Sequence, residues 1–301
     1  MIYRSMPAVW DPQFRRSFYE RWGHESAVIS ASTRRAEYAE FKQLLSIKAA
    51  ANGAENYFID GRRITVDDDT FAIFNHDRVY ASRIESLRPV QSFSIFFDRK
   101  VAAQAWHSLS RSARALDDGG EIEVKPMEFA ERLYEHENLV SPVLRHIRMA
   151  VDSGPVDDAW LEEQLLFLLS RMVRLQHKAL RVEAFVPSRK AATRRELIRR
   201  LTLGVDFMQS RYRDPVMLKD IAAAAHLSPF HFLRVFKAVH RISPSQYLSR
   251  KRAAAALRLL QASNWNMNMI ATHVGFGSRT SMYRHLRMHY GVEPRELRSL
   301  R

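Results

Sequence analysis

The chain has 301 residues, enough for about two domains that each bury a core of their own. It is 46% apolar and 27% charged, the balance of a folded globular protein rather than a disordered one. Its net charge is +14 and it has no cysteine. The missing cysteine excludes disulfides, thiolate catalysis and cysteine-ligated zinc, and is compatible with a reducing cytoplasm, the location expected.

The charge is unevenly placed. Residues 191–301 carry 20 Lys and Arg against 6 Asp and Glu, whereas residues 1–190 carry 27 of each sign. A neutral first part and a strongly basic tail suggest one module built to meet a polyanion; the alternative is a solvated basic face. Charges from Arg4 to Arg21 interrupt the start of the chain, so no signal peptide is expected. No apolar run approaches the roughly 20 residues of a membrane span, and no membrane partner is expected.

Along the chain, Trp10, Phe14, Phe18, Tyr19 and Trp22 read as loop or edge residues packed on the body. Strand signals begin at Leu44. Leu44 to Ala51 ends at Asn52-Gly53 and Ala54 to Ile59 at Asp60-Gly61, dipeptides suited to tight hairpin turns. Further runs cover Arg62 to Val66, Thr70 to Asn75, Val79 to Glu85 and Val90 to Phe97, and together predict an antiparallel barrel or sandwich. Helical patterns follow over Val101 to Leu109, Met127 to Glu135 and Pro142 to Val151, with breaks at Gly119-Gly120 and Ser153-Gly154-Pro155. The longest helix spans about Val156 to Val182. Its apolar stripe (Trp160, Leu161, Leu165, Leu166, Leu168, Leu169, Met172, Val173, Leu175) suits either intramolecular packing or a homodimer interface through 156–182. Phe185 to Thr193 reads as a linker around Pro187, and a new helix starts near Thr193.

The tail writes one pattern twice: a short amphipathic helix, a tight break and a second helix, near 218–239 and again near 266–289. That is the layout of a helix-turn-helix, whose second helix lies in the DNA major groove. In the first unit Leu218, Ile221, Ala222 and Ala225 point inward, as do Phe232, Val235, Phe236 and Val239 of its second helix. Ser228 and Pro229 start that second helix. Phe230, Leu233 and Arg234 are left facing the bases, with Ser228, Lys237 and Arg241 toward the DNA backbone. A helix from Ser245 to about Ala262, capped by Ser243-Pro244, is roughly 25 Å long and holds the two units apart. In the second unit Asn266 and Ser278 are caps, and Ile270, Ala271, Val274, Phe276, Met282, Leu286 and Tyr290 form the core. Arg279, Thr280 and Arg284 face the bases, and Ser278, Tyr283 and Arg287 face the backbone.

Over about one hundred C-terminal residues the chain resembles the AraC/XylS-type transcriptional regulators. Ile270-Ala271, Gly275-Phe276, Gly291, Pro294 and Arg298 carry the resemblance most specifically. Ser243-Pro244, Tyr247-Leu248, Arg252, Ala256 and Leu259-Leu260 match the family's connecting helix, and His231-Phe232, Arg234 and Phe236 its first unit. Arg241 stands where the family usually has Gly, Met282 and Leu286 replace aromatic residues, and Leu297 replaces a frequent Tyr. The Tyr57 to Val66 hairpin is similar to that of the family's cupin-like sensor domain, although Asp67-Asp68-Asp69 replaces its common Pro-Gly turn.

The resemblance implies an α+β chain. Residues 1–185 would be a cupin-like β-barrel with packed helices, 186–198 a linker, and 199–301 an all-α domain of two helix-turn-helix units joined by a linker helix. It implies a sequence-specific regulator of transcription, an effector-responsive activator that binds promoter or operator DNA and contacts RNA polymerase. No cofactor and no catalytic residue are expected. A cupin metalloenzyme is the rival with chemistry, but His76 is the only histidine of residues 44–97 and no His-x-His pair occurs. Asp67 to Asp69 reads as a solvated acidic turn and His136 as an exposed helix residue. A non-specific nucleic-acid-binding protein is the other alternative.

Overall fold

The computed structural model describes residues 1–105, 128–182, 186 and 190–291. The chain divides into two compact units, Met1–Arg181 and Val182–Arg301. The first is rich in sheet and the second is helical, a mixed α+β protein.

In the first unit the expected strands are present: Leu45–Ala51 (β3), Ala54–Ile59 (β4), Arg62–Asp67 (β5) and Thr70–Phe74 (β6). Asp60 (φ 50) and Gly61 (φ 70) form the two-residue turn between Ile59 and its partner Arg62, with both central residues left-handed. Val79–Phe97 (β7) is one long strand rather than two; its pairing slips around 86–89, where Thr33 faces Val90 but Arg35 faces Glu85. Two elements depart from the reading of the first forty residues. Pro12–Arg21 (α1) is a helix capped by the Asp11 carboxylate, which accepts from the Gln13 and Phe14 amides. Ala27–Lys42 (β2) is a 16-residue strand paired along β7. Ile2–Tyr3 (β1) adds to its edge.

The sheet order is β1-β2-β7-β3-β6-β8, with β4 bridging β5 and β7. The last strand, Leu133–Glu135 (β8), lies where a helix was expected. Phe129 and Leu133 have helical spacing, but β6 supplies a ladder for the segment and Tyr134 stacks on Phe71 at 5.2 Å. Alternation then sorts the side chains. Leu45, Ile47, Phe71, Ile73, Phe93, Ile95 and Phe97 face Ser141–Ser153 (α2) and Asp158–Val182 (α3), while Tyr57, Ile64, Val66, Phe74, Tyr80, Ile84 and Val90 pack on the other side.

Along α3, Leu161, Leu165, Leu168, Leu169, Met172, Val173 and Leu175 are buried, but Leu166, expected in the same stripe, is exposed. Asp67 is buried rather than solvated, because its Oδ1 accepts from the Asp69 amide and the Thr70 hydroxyl to close the turn. His136 follows a strand rather than lying on a helix, with Nδ1 2.9 Å from the Ser141 hydroxyl.

The second unit runs Ala191–Ser210 (α4), Leu218–Ala224 (α5), Pro229–His240 (α6), Pro244–Ala262 (α7), Met267–His273 (α8) and Arg279–Tyr290 (α9). Helix α4 begins inside the segment expected as a linker. Its Leu197, Leu201, Val205 and Met208 join Ile221, Ala222, Phe232, Phe236, Ile270 and Leu286 in one core. Gly204 lets α4 and α6 close up, since a Cβ there would fall 2.4 Å from the Phe232 ring. Tyr290, expected to end the core, is exposed. The breaks at Gly119-Gly120, the end of the Val101 to Leu109 helix, Pro294, Leu297 and Arg298 lie outside the described residues.

Candidate nucleic-acid interface

The two helix pairs, α5–α6 and α8–α9, are built by the same local chemistry. In the first, the Leu227 amide donates to Ala222 O at 2.9 Å and His226 sits left-handed at φ 51. In the second, the Phe276 amide donates to Ala271 O at 2.8 Å and Gly275 sits at φ 84. The serines then start the following helices. Ser228 Oγ accepts from the His231 amide at 3.3 Å, and Ser278 Oγ accepts from the Ser281 amide at 3.1 Å. Asn266 caps α8 through the Met269 amide at 2.9 Å. On α7, Ser243 and Gln246 cap each other reciprocally at 3.2 and 2.8 Å.

With Phe232, Val235 and Phe236 turned inward, α6 leaves Phe230 75% exposed and Arg234, Lys237 and Arg241 in solvent. Leu233 is half-buried and lines a groove with Val216, Leu248 and Phe276, so it offers less than its neighbours. On α9, Met282 and Leu286 are fully buried while Arg279, Thr280, Arg284 and Arg287 are exposed. Tyr283 is half-buried against the core, and the Arg279 guanidinium lies 5.9 Å from its ring. Among the described residues, no ion pair engages Arg234, Lys237, Arg279 or Arg284. An exposed arginine with no intramolecular carboxylate keeps its donor fork for an external acceptor.

The pairs meet at one turn. Arg252 of α7 donates from Nε to Tyr212 O at 2.6 Å and from Nη2 to Asp214 O at 2.8 Å. Gly275 rests on the same segment, and a Cβ there would be 2.6 Å from Arg213 O. The turn before the first pair is thereby held by the connecting helix and covered by the second pair. The sequence marks Arg252 only by its place between the inward Leu248 and Ala256 and by its match to the connecting helix of the resembled family, and neither shows what it holds. Arg200 similarly donates to His226 O at 3.1 Å, steadying the left-handed residue. Behind α9, His285 stacks on Phe276 at 5.3 Å. Burial, then Arg284 and His289, hold its imidazole below the ordinary value.

Among the described residues, no group of three or more His, Cys, Asp or Glu could hold a metal. No described helix is long and apolar enough to cross a membrane.

Residues 221–299 match the helix-turn-helix domain family. The chain is 29% identical over 148 residues to the uncharacterized HTH-type transcriptional regulator YisR of Bacillus subtilis (strain 168), covering 49% of this chain and 47% of that one. It is 29% identical over 92 residues to the regulatory protein PocR of Salmonella typhimurium, covering 31% and 30%. The chain thus spans less than half the length of either relative. A transcriptional regulator of Chromobacterium violaceum, described as containing an AraC-type DNA-binding domain, is 28% identical, covers 36% of this chain and 95% of its own, and has a TM-score of 0.32.

Proposed function

From a C-terminal helix-turn-helix domain, we propose that the chain is a sequence-specific, DNA-binding regulator of transcription of the AraC type. The observation that carries this is the repeated helix pair, whose second helix is capped by a serine in both copies, with a packed inner face and a basic outer one. Both pairs act as reading heads on adjacent stretches of double-stranded DNA. Phe230, Leu233, Arg234, Arg279, Thr280 and Arg284 face the bases, and Ser228, Lys237, Arg241, Ser278, Tyr283 and Arg287 the phosphates. The domain limits proposed are 1–185, 186–198 and 199–301.

The N-terminal sheet acts as a cupin-like sensor of a small molecule, and the outcome is activation through RNA polymerase in the cytoplasm. The exposed Leu166 and Phe167 on α3 support a homodimer through 156–182. An enzymatic role has no support from the described residues.

The test is selection of genomic fragments by the purified chain, followed by titration on a selected and a scrambled duplex across salt. A reader of sequence binds its site tighter by about 10³ or more at physiological salt. Equal affinity for both duplexes would favour the rival, a non-specific nucleic-acid-binding protein, which leaves a neutral N-terminal unit of this size without a task.

A further inference from the structure

One face of the N-terminal sheet carries an aromatic-lined pocket, a cavity of about 50 Å³ that opens to solvent. Two charged side chains on its wall are almost fully buried, Lys48 on β3 and Glu55 on β4. The Lys48 ammonium sits against aromatic faces, 3.4 Å from the Phe96 ring centre, 5.6 Å from Tyr80 and 5.9 Å from Tyr57. Glu55 accepts from the Ser92 hydroxyl at 2.7 Å. Burial draws the Lys48 ammonium down to about 7, and Glu55 opposes the shift.

Among the described residues, two other polar atoms on the same wall have no partner. Gln43 is 95% buried and its Oε1 accepts nothing; the Trp22 Nε1–H is buried and donates to nothing. Native interiors seldom leave such groups unsatisfied, and those that do are commonly waiting for a water or a ligand. One orphan is an acceptor and the other a donor. A hydroxyl or a primary amide complements both.

A charged ligand would have to leave water for an aromatic, desolvated space in which two ionisable side chains are already buried. Ser82, Ser92 and Ser94 also line the wall, and the rest of it is apolar or aromatic, which suits a compact hydrocarbon body.

We propose that this cavity binds a small uncharged molecule with an aromatic or aliphatic body and one hydroxyl or amide group, held by Trp22 and Gln43 beside the Lys48–Glu55 pair. The assignment rests on the reading of the N-terminal unit as a sensor and gives that sensor its ligand class.

The test is calorimetric titration of the full chain with three probes of one body: 2-phenylethanol, phenylacetate and 2-phenylethylammonium. The expected result is saturable binding of the alcohol, with both ions weaker by about ten-fold or more. Gln43→Leu and Trp22→Phe each weaken the alcohol by about ten-fold or more while the thermal midpoint is kept. Benzamide behaves like the alcohol. The assignment is overturned if neither neutral probe binds at about 10 mM, if an ion binds as well as the alcohol, or if both variants bind unchanged. A crystal structure soaked with the alcohol that shows only waters on Gln43 Oε1 and Trp22 Nε1 would overturn it too. The titration uses no DNA, so its failure leaves the DNA-binding reading standing, and failure of the chain to select DNA does not touch the titration.

Discussion

Three glycines of the second helix pair form a graded series in which geometry sets the cost of one methyl group. Gly277 has nothing within 4 Å of a built Cβ and no positive φ, so Gly277→Ala should change stability by no more than about 0.5 kcal/mol. Gly291 also faces open space but lies at φ 66, where an L side chain costs about 1–2 kcal/mol. Gly275 combines φ 84 with a Cβ position 2.6 Å from Arg213 O and 2.9 Å from Tyr212 O. Those atoms are backbone and cannot rotate aside. Relief requires moving the turn that Arg252 holds through two hydrogen bonds, each worth about 1.5–3 kcal/mol to a charged donor. Strain plus partial loss of that pin comes to roughly 3–5 kcal/mol. At about 4 °C per kcal/mol the midpoint of the helical unit should fall by at least about 10 °C. Scanning calorimetry of the full chain and the three variants measures it, with Gly277→Ala as the reference. A Gly275→Ala variant that melts within a degree or two of Gly277→Ala would refute this cost, because the close backbone approach would then have no energetic content.

Four further outcomes are expected. Arg284→Ala should cost about 1–3 kcal/mol of DNA binding and relax preference at one base position, whereas Lys237→Ala should weaken all sequences alike and lower the salt slope by about 1; competition binding against single-base variants separates the two. Arg241→Gly should relieve left-handed strain at φ 62, raising stability by up to about 1 kcal/mol while weakening DNA binding, so calorimetry and titration should move in opposite directions. His226→Gly, at φ 51, should stabilise similarly without touching affinity. The Lys48 ammonium is lowered to about 7 by burial, so between that pH and its unfolded value near 10.5 the unfolded chain holds the extra proton. Stability of the sheet unit should therefore rise from pH 7 to about 9.5, and Lys48→Met should flatten that rise in urea midpoints. A slope unchanged in the variant would assign the effect to other groups.

The helical half was legible because its signals are local. Ser228-Pro229, Ser243-Pro244, Asn266 and Ser278 each name a helix start within a residue or two, and the inward rows of α6 and α9 follow from spacing alone. The sheet half was legible only where turns announce it, at Asn52-Gly53 and Asp60-Gly61. Strand β2 was not, because Arg34, Arg35, Glu37 and Glu40 give its outer half a charged surface pattern, and its order comes from pairing with β7 some fifty residues away. Asp11-Pro12 does carry a helix-start signal for α1, overshadowed by the aromatic residues that dock the helix on the sheet. The Met127 to Glu135 segment has helical spacing, yet Leu133 and Tyr134 are both buried by the β6 ladder and the stack on Phe71. Lys48 and Glu55 look like outward strand residues. Only long-range packing, such as the Phe96, Tyr57 and Tyr80 rings around Lys48, makes them interior, and that has no signature at single positions.

The two helix pairs share a turn but not its strain. Each turn closes with the same hydrogen bond, from Leu227 to Ala222 or from Phe276 to Ala271, yet the left-handed residue is His226 in one and Gly275 in the other. Each second helix also ends left-handed, at Arg241 in one and Gly291 in the other. The first pair thus carries two side chains where glycine would be relaxed, at about 1 kcal/mol or more each. Strain of that kind persists where surrounding contacts hold it, as the Arg200 bond to His226 O does, and where the side chain serves a purpose. Arg241 extends the exposed cationic row of Arg234 and Lys237 by one more turn, where the proposed reading puts a phosphate contact. The second pair needs no such extension, and its turn is one residue longer, with the open Gly277 ahead of the cap at Ser278. Its exposed residues, Arg279, Thr280 and Arg284, begin within the first two turns of α9, the end that reaches base edges. If the pairs read DNA as proposed, the first should contribute mainly affinity and register and the second mainly sequence, with a spread of tolerated bases in the first half of the operator and a narrow choice in the second as the expected pattern.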